Sequence, residues 1–376
     1  MAKKILLVNQ SVNFLTVDIA NAMLSKYDEV VLMAGSITNF ERPLDERVKV
    51  SKLITYNRTA AWKRILTWGI SFIQIFFKIL FCYRKYEILY FSNPPMSYFG
   101  ATLFKNKFSV VVYDIYPDAL RNVGIREGNF IYNYWVKKNQ KTYDRAEKVF
   151  TLSESMADAL TKYVPKEKLV IIPNWSVTEK FKPIPKAENP FVKEQHLEDK
   201  FVVMYSGNMG YTHSVNVLVD VAEMMKDNKY VQFLLIGQGK QRPELEARAK
   251  EQHLTNCTFM DFLPVDVLPY SLASADIAMI TLNEESAKVS VPGKTYDLLG
   301  VGAPLMCITP PDSEMARLIK QHQNGACFEA SQVTEMEAFI TKLASHHELR
   351  KQMSDNSYRA SKEYTKENAY KYVKLC

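Results

Sequence analysis

Phe201-Val-Val-Met-Tyr-Ser-Gly-Asn-Met-Gly210 is an apolar run followed by a turn holding two glycines, and beyond it Val215 and Leu218 are the first apolar positions of a helical pattern. A run with no polar alternation is the signature of a strand covered on both faces, as in a parallel sheet between helix layers. The same grammar continues downstream. Val231 to Ile236, Cys257 to Asp261, Ile277 to Ile280 and Leu305 to Ile308 read as strands, with helical patterns at 215–225, 244–251 and 315–321 between them. Upstream, 177–200 carries Lys180, Pro183, Pro185, Pro190 and the charged Glu198-Asp-Lys200 without a clear period, and is predicted to be a linker. Before it the alternation is complete again, with strands at 4–8, 30–34, 88–91, 109–113, 149–152 and 169–172. The sequence therefore predicts an α/β chain with two doubly wound parallel sheets: an N-terminal domain at 1–176, the linker at 177–200, a C-terminal domain at 201–356 and a closing helix at 357–376.

Length and composition agree. A chain of 376 residues exceeds what one core usually supports, and 47% hydrophobic with 24% charged residues is a globular balance. The net charge of +7, from 48 basic and 41 acidic residues, suits nucleotide phosphates or an anionic membrane surface. Zinc-finger spacing, an aromatic RNA-binding strand and a dense basic run are all missing from the sequence, so nucleic acid is not expected as a partner. Five scattered cysteines without a C-x-x-C pair fit a reducing cytosol, and the short apolar run after Lys4 is expected to be a first strand and not a signal peptide.

Three features in the second half point to one chemistry. Gly207, Asn208 and Gly210 form a glycine turn between strand and helix, where backbone N–H groups can meet a phosphate. Gly237 and Gly239 form a second such turn. In Val291-Pro-Gly-Lys-Thr-Tyr-Asp297, Pro292 and Gly293 turn the chain, Lys294 opens a helix, and Asp297 follows three residues later on the same face. A lysine beside a helix start can neutralise a diphosphate leaving group, while a carboxylate can accept the hydroxyl hydrogens of a ribose. A surface charge pair would explain the last segment alone, but not all three features in order.

These runs, together with Leu235-Ile-Gly-Gln-Gly239, Asp261-Phe-Leu-Pro264, Leu272-Ala-Ser-Ala-Asp276 and the continuation to Pro304, resemble the donor domain of family 4 glycosyltransferases over nearly the whole second domain. The resemblance implies a GT-B fold, two Rossmann-like domains facing a central cleft. It also implies a nucleotide-sugar co-substrate, most often a UDP-sugar, with no cofactor or metal and with retention at the anomeric carbon. Carried over position by position, Gly207 and Gly210 match the loop beside the donor phosphates, Lys294 a phosphate-facing position, Asp297 the second acid of the E-x7-E motif that holds the ribose, and Leu263 the segment beside the base. Two departures stand out: Val289 replaces the first Glu of that motif, and Asn208 stands where many members carry Arg.

In the first half, Val110-Val-Val-Tyr-Asp-Ile-Tyr-Pro-Asp118 resembles the family's segment at the cleft edge, with Tyr113 at a position where a His is frequent. Asp114, at the carboxyl end of a strand, is the candidate to orient or deprotonate an acceptor hydroxyl, and with Lys294 it completes the expected catalytic set. Asn9, Asn13 and Asn93 sit at equivalent strand ends and are candidate acceptor contacts. His213 is expected to be solvent-exposed, and the six histidines show no metal spacing.

Residues 65–83 form the most apolar stretch, yet Thr67, Ser71, Gln74 and Lys78 recur at helical steps as one narrow polar stripe. The expectation is a helix half in protein and half in lipid, with Lys63, Arg64, Arg84 and Lys85 at the headgroups of the cytoplasmic face of the inner membrane. Resemblance and helix together imply a polyprenyl-diphosphate-linked saccharide as acceptor, as in capsule or lipopolysaccharide assembly. Two alternatives share the fold: a UDP-sugar epimerase, and a non-catalytic subunit that only binds a nucleotide-sugar.

Overall fold

The computed structural model describes residues 2–38, 42–57, 59–210, 213–287 and 291–376, the side chains of residues 122, 123, 285 and 286 excepted. The chain divides into two compact units, Met1–Val177 with Lys366–Cys376, and Thr178–Thr365.

The first unit contains β1 (Lys4–Val8), β2 (Ser11–Val12), α1 (Phe14–Met23), β3 (Glu29–Ala34), β4 (Ser36–Ile37), β5 (Lys49–Lys52), α2 (Ala61–Cys82), β6 (Glu87–Phe91), β7 (Phe108–Val111), α3 (Phe130–Arg145), β8 (Val149–Thr151), α4 (Glu154–Leu160) and β9 (Leu169–Ile171). Seven strands form one sheet in the order β5-β3-β1-β6-β7-β8-β9, every pair parallel, and β2 with β4 forms a small separate pair. Ile5, Leu6, Leu7 and Val8 are fully buried, which is why the first strand shows no polar alternation.

The second unit contains α5 (Pro190–Glu194), β10 (Phe201–Ser206), α6 (Asn216–Met224), β11 (Val231–Ile236), α7 (Arg242–Glu251), β12 (Cys257–Met260), α8 (Leu268–Leu272), β13 (Ile277–Thr281), α9 (Glu284–Ala287), α10 (Lys294–Gly300), β14 (Leu305–Ile308), α11 (Glu314–His322), β15 (Gly325–Phe328), α12 (Val333–Ser345) and α13 (His347–Ser361). Its six strands run parallel in the order β12-β11-β10-β13-β14-β15. The doubly wound parallel sheet expected in each half is present.

Two boundaries differ from the sequence reading. The stretch 177–200 does not hang free as a linker. From Thr178 it belongs to the second unit, with Phe191, Val192 and Leu197 buried and Lys186 paired to Asp276. Asn189 caps α5 and donates to the Tyr270 carbonyl at 2.8 Å, so its charged and proline-rich composition conceals a packed strap. The closing segment 357–376 is not one helix either. Ser357 lies inside α13 and is held by Asn324 and the Ala303 carbonyl, whereas α14 (Ala369–Leu375) packs on α1 in the first unit, with Tyr372 against Phe150.

α2 is amphipathic the wrong way round for an ordinary surface helix. Ser71 is fully buried, Gln74 accepts from the Ile54 N–H at 2.8 Å, and Lys78 donates to Ser51 at 3.0 Å, all on the protein side. The outward face carries Trp62 and Ile65, each 63% exposed, and Phe81, 76% exposed. By length and composition this helix could cross a membrane.

Candidate functional site

In an open parallel sheet, ligands bind beyond the carboxyl ends of the strands where the strand order reverses. In the second unit that point lies between β10 and β13, since β11 and β12 extend to one side and β14 and β15 to the other. Lys294, at the first turn of α10, reaches into this place. Its ammonium donates to the Ser206 carbonyl at 3.1 Å, lies 3.9 Å from the centre of the Tyr205 ring, and would meet a Cβ on Gly207 at 2.9 Å. The side chain is half-buried with its charged end in the interior, and desolvation pushes its pKa down to about 7. Its partners are a carbonyl and a ring face, so it is a cation that an arriving anion would stabilise.

The two glycine turns interlock. Gly207 N–H donates to the Ile236 carbonyl, Met209 N–H to the Gln238 carbonyl, and Gln241 N–H to the Met209 carbonyl. Gly237 has φ +141°, and a Cβ there would stand 1.9 Å from the Gly207 carbonyl oxygen. Glycine at 237 and 239 is therefore required by one turn packing on the other, a reason internal to the fold. Gly293 is different: a Cβ there would touch nothing, so packing does not demand it.

His213 corrects the expectation of a solvent-exposed ring. It is half-buried, and its Nδ1 meets the Thr281 carbonyl at 2.8 Å, which makes Nδ1 the donor and leaves Nε2 available. Burial, then the nearby Lys294 charge, lowers its pKa. Gln241 braces the same loop by donating to the carbonyls of Gly210 and His213. Thus the structure gathers Gly207, Gly237, Gly239, Lys294 and His213 around one point. Asn208 is exposed with Gly210 beside its amide, Leu263 follows β12 on the far side of β11, and Pro292 and Asp297 flank Lys294 along the chain. Val289 lies outside the described residues.

The first unit has its own strand reversal, between β1 and β6. A polar pocket of about 320 Å³ opens beside it, walled by Ser92, Asn93 and Asp114 together with Tyr56, Arg64 and Trp68. Ser92 Oγ accepts from the Tyr113 N–H at 3.0 Å and so fixes the strand end that presents Asp114. Asp114 is exposed at the pocket, and desolvation by the protein packed around it raises its pKa above the usual carboxylate range.

Of the three expected acceptor contacts, only Asn93 is at this pocket. Asn9 is buried and bonded to Thr16 and the Ser11 N–H, and Asn13 is the N-cap of α1, accepting from the Thr16 N–H. Both serve the fold locally.

The sequence reading missed Arg64, Trp68 and Tyr56. Arg64 was expected at lipid headgroups but lines the pocket, its guanidinium 5.5 Å from the Trp68 ring centre, while Tyr56 stacks on Trp68 at 5.7 Å. The available signal was the four-residue spacing of 64 and 68 on one helix face. Among the described residues, Arg64 Nε, Trp68 Nε1 and Asn93 Oδ1 are buried and find no hydrogen-bond partner, so the pocket wall holds donors and an acceptor left open. Among the described residues, no group of three or more His, Cys, Asp or Glu could hold a metal ion.

Comparison with known proteins adds three findings. The family described as glycosyl transferases group 1 matches residues 186–360, most of the second unit. WbjE of Pseudomonas aeruginosa, assigned as a glycosyltransferase, is 25% identical over 57% of this chain and 54% of its own length. WcaI of Escherichia coli K12, assigned to colanic acid biosynthesis as a glycosyl transferase, is 24% identical over 65% of this chain and 63% of its own length. The chain thus spans a little over half the length of these relatives. Among solved structures, HepE of Anabaena in complex with UDP superposes with a TM-score of 0.75 at 14% identity, covering 99% of this chain and 98% of HepE. The two parallel sheets are those of the GT-B fold.

Proposed function

We propose that this chain acts as a glycosyltransferase of the group 1 kind, moving a sugar from a nucleotide-sugar donor, a UDP-sugar, to a lipid-linked saccharide in the synthesis of a cell-surface polysaccharide; the family match over residues 186–360 and the likeness to WbjE and WcaI support it. One observation carries the reading: a desolvated lysine sits against the first glycine turn at the strand reversal, with a carbonyl and an aromatic face as its partners. A diphosphate is the anion such a place suits, because the arriving charge restores the protonated lysine that burial penalises. HepE, of like fold, has been seen with UDP and with UDP-glucose, which supports a uridine donor here.

In this reading Lys294 holds the β-phosphate as the anomeric bond breaks, the sugar passes through an oxocarbenium-like state, and the configuration is retained. No metal is required, since the lysine supplies the positive charge. Asp297, one turn into α10, holds the ribose. Asp114 in the first unit accepts the proton of the incoming hydroxyl or orients it, a task for which a raised carboxyl pKa is suited. The outward apolar face of α2 rests in the cytoplasmic surface of the inner membrane.

A thermal-shift screen of UDP-sugars tests the donor half, since a ligand that binds only native protein raises its melting temperature. A shift of several degrees with one UDP-sugar, lost in Lys294→Ala, is expected; no shift with any nucleotide-sugar would sink the proposal. Incubating the donor alone separates transfer from epimerisation, which would return an inverted UDP-sugar without an acceptor.

A further inference from the structure

The protein-facing side of α2 changes character along its length. Arg64 and Trp68 line the polar pocket, while Phe72 and Phe76, the next residues at four-residue steps, line a separate apolar groove of about 460 Å³. At 1.5 Å per residue, the stripe from 64 to 76 covers about 18 Å. The segment that follows β6 makes the same change in the same order. Ser92, Asn93 and Pro95 wall the pocket, and Met96, Phe99 and Leu103 wall the groove. A Cβ on Gly100 would lie 3.1 Å from the Phe76 ring, so this segment runs hard against the helix. Two stretches distant in sequence thus pass together from polar to apolar.

Each half of this path is unfilled in its own way. Among the described residues, the pocket leaves Arg64 Nε, Trp68 Nε1 and Asn93 Oδ1 without partners beside the faces of Tyr56 and Trp68, and stacked aromatic faces with scattered hydrogen-bonding groups are the chemistry that meets a sugar ring. In the groove, Lys138 is the one charged residue among the described lining residues, and Leu103, 73% exposed, and Phe77 remain open to solvent. A ligand satisfying both must be polar at one end and a slender hydrocarbon at the other.

We infer that α2 is the cradle of a single-chain amphiphile, whose saccharide head lies at Arg64, Trp68, Asn93 and Asp114 and whose prenyl or alkyl tail lies in the groove between Phe72, Phe76, Met96 and Phe99. The inference rests on the lipid-linked acceptor of the proposed function and adds where its chain is held: by the protein, and not only by the bilayer. The groove, walled by α2, the segment after β6 and Tyr134 and Lys138 of α3, offers about 460 Å³, which suits one chain.

The test uses the full chain and alkyl maltosides below their micellar concentrations, one of them with a diazirine at the chain end. Cross-links are expected at residues 72–76 and 96–103. Affinity should rise about tenfold for every two added methylenes until the groove is filled. Leu103→Lys, at an exposed site that does not endanger folding, should lower it at least tenfold, and Gly100→Trp should block the tail. Cross-links confined to Trp62, Ile65 and Phe81 would mean that α2 meets bulk lipid alone and would overturn the inference, as would an affinity indifferent to chain length. This outcome is separable from the donor reading. Loss of the UDP-sugar shift with the cross-links intact removes only the transferase proposal, and the reverse removes only the cradle.

Discussion

Lys294 in the second unit lies at the strand reversal of its sheet and Asp114 in the first follows β7, one strand beyond the reversal of its own, and desolvation shifts both towards neutrality: the lysine down to about 7, the acid upward. What differs is their company. Lys294 is pinned between the Ser206 carbonyl and the Tyr205 ring, whereas Asp114 lines an open polar pocket with Arg64 and Asn93 on its walls. Under the proposed function the lysine would serve as a fixed receptor for an anion, and the acid as a group that exchanges a proton with an arriving hydroxyl. In the proposed function these two groups of opposite sign would divide the labour of donor binding and acceptor activation.

The most forceful way to break this comparison is Lys294→Ala, which should lower kcat/KM for sugar transfer about 10²–10³-fold, the loss expected when a charge-stabilising group is removed from a desolvated site. Initial rates with the UDP-sugar found by thermal shift provide the measurement, and an unchanged rate would detach the lysine from the leaving group. Asp114→Asn is expected to cost about 10²-fold in transfer while donor affinity stays as it was. If donor affinity fell with it, the division between the units would be wrong.

Acidity sharpens the contrast. A lysine whose pKa stands near 7 when free and rises when phosphate binds must take up a proton on binding at higher pH. Donor affinity should thus be full below about pH 7 and fall as pH rises above it, approaching tenfold per unit; titration calorimetry across pH 6–9 reads it, and the slope should vanish in Lys294→Met. The smallest effect is on stability. Depression of a folded-state lysine pKa destabilises the protein below that pKa and releases the penalty as pH rises from 7 towards the unfolded value near 10.4. Donor-free Lys294→Met should accordingly melt about 2–4 °C higher than the parent at pH 6, with the gap narrowing by pH 9. A lower melting point at pH 6 would mean that the lysine holds the fold and is not strained by it.

Much of this was readable in the residues alone. Strands such as Leu6 to Val8 and Val202 to Tyr205 announce themselves because burial on both faces removes every polar residue, and the glycine turn, Lys294 and Asp114 lie next to such strands. The strap at 178–200 was misread because its lysines and prolines mark its surface, whereas Phe181, Phe191 and Val192, which fix it to the core, are too sparse to make a period. Gly237 and Gly239 were legible as a turn but not as one that packs on the first, since that contact is between residues thirty apart. Arg64 and Trp68 escaped for a related reason. On a helix that is apolar nearly all round, only the tertiary fold decides that the polar stripe turns inward and that Arg64 looks into a pocket.

The return of α14 to the first unit has a temporal consequence. The seven-stranded sheet is translated before the second unit, but the helix that covers α1 and receives Phe150 is made only after all of Thr178–Thr365. At about 5–20 residues per second, that interval lasts roughly 10–40 s. During it the nascent sheet displays an uncovered apolar seam, while the later-made unit can fold to completion. Vectorial synthesis thus completes the first unit only after the second has been made.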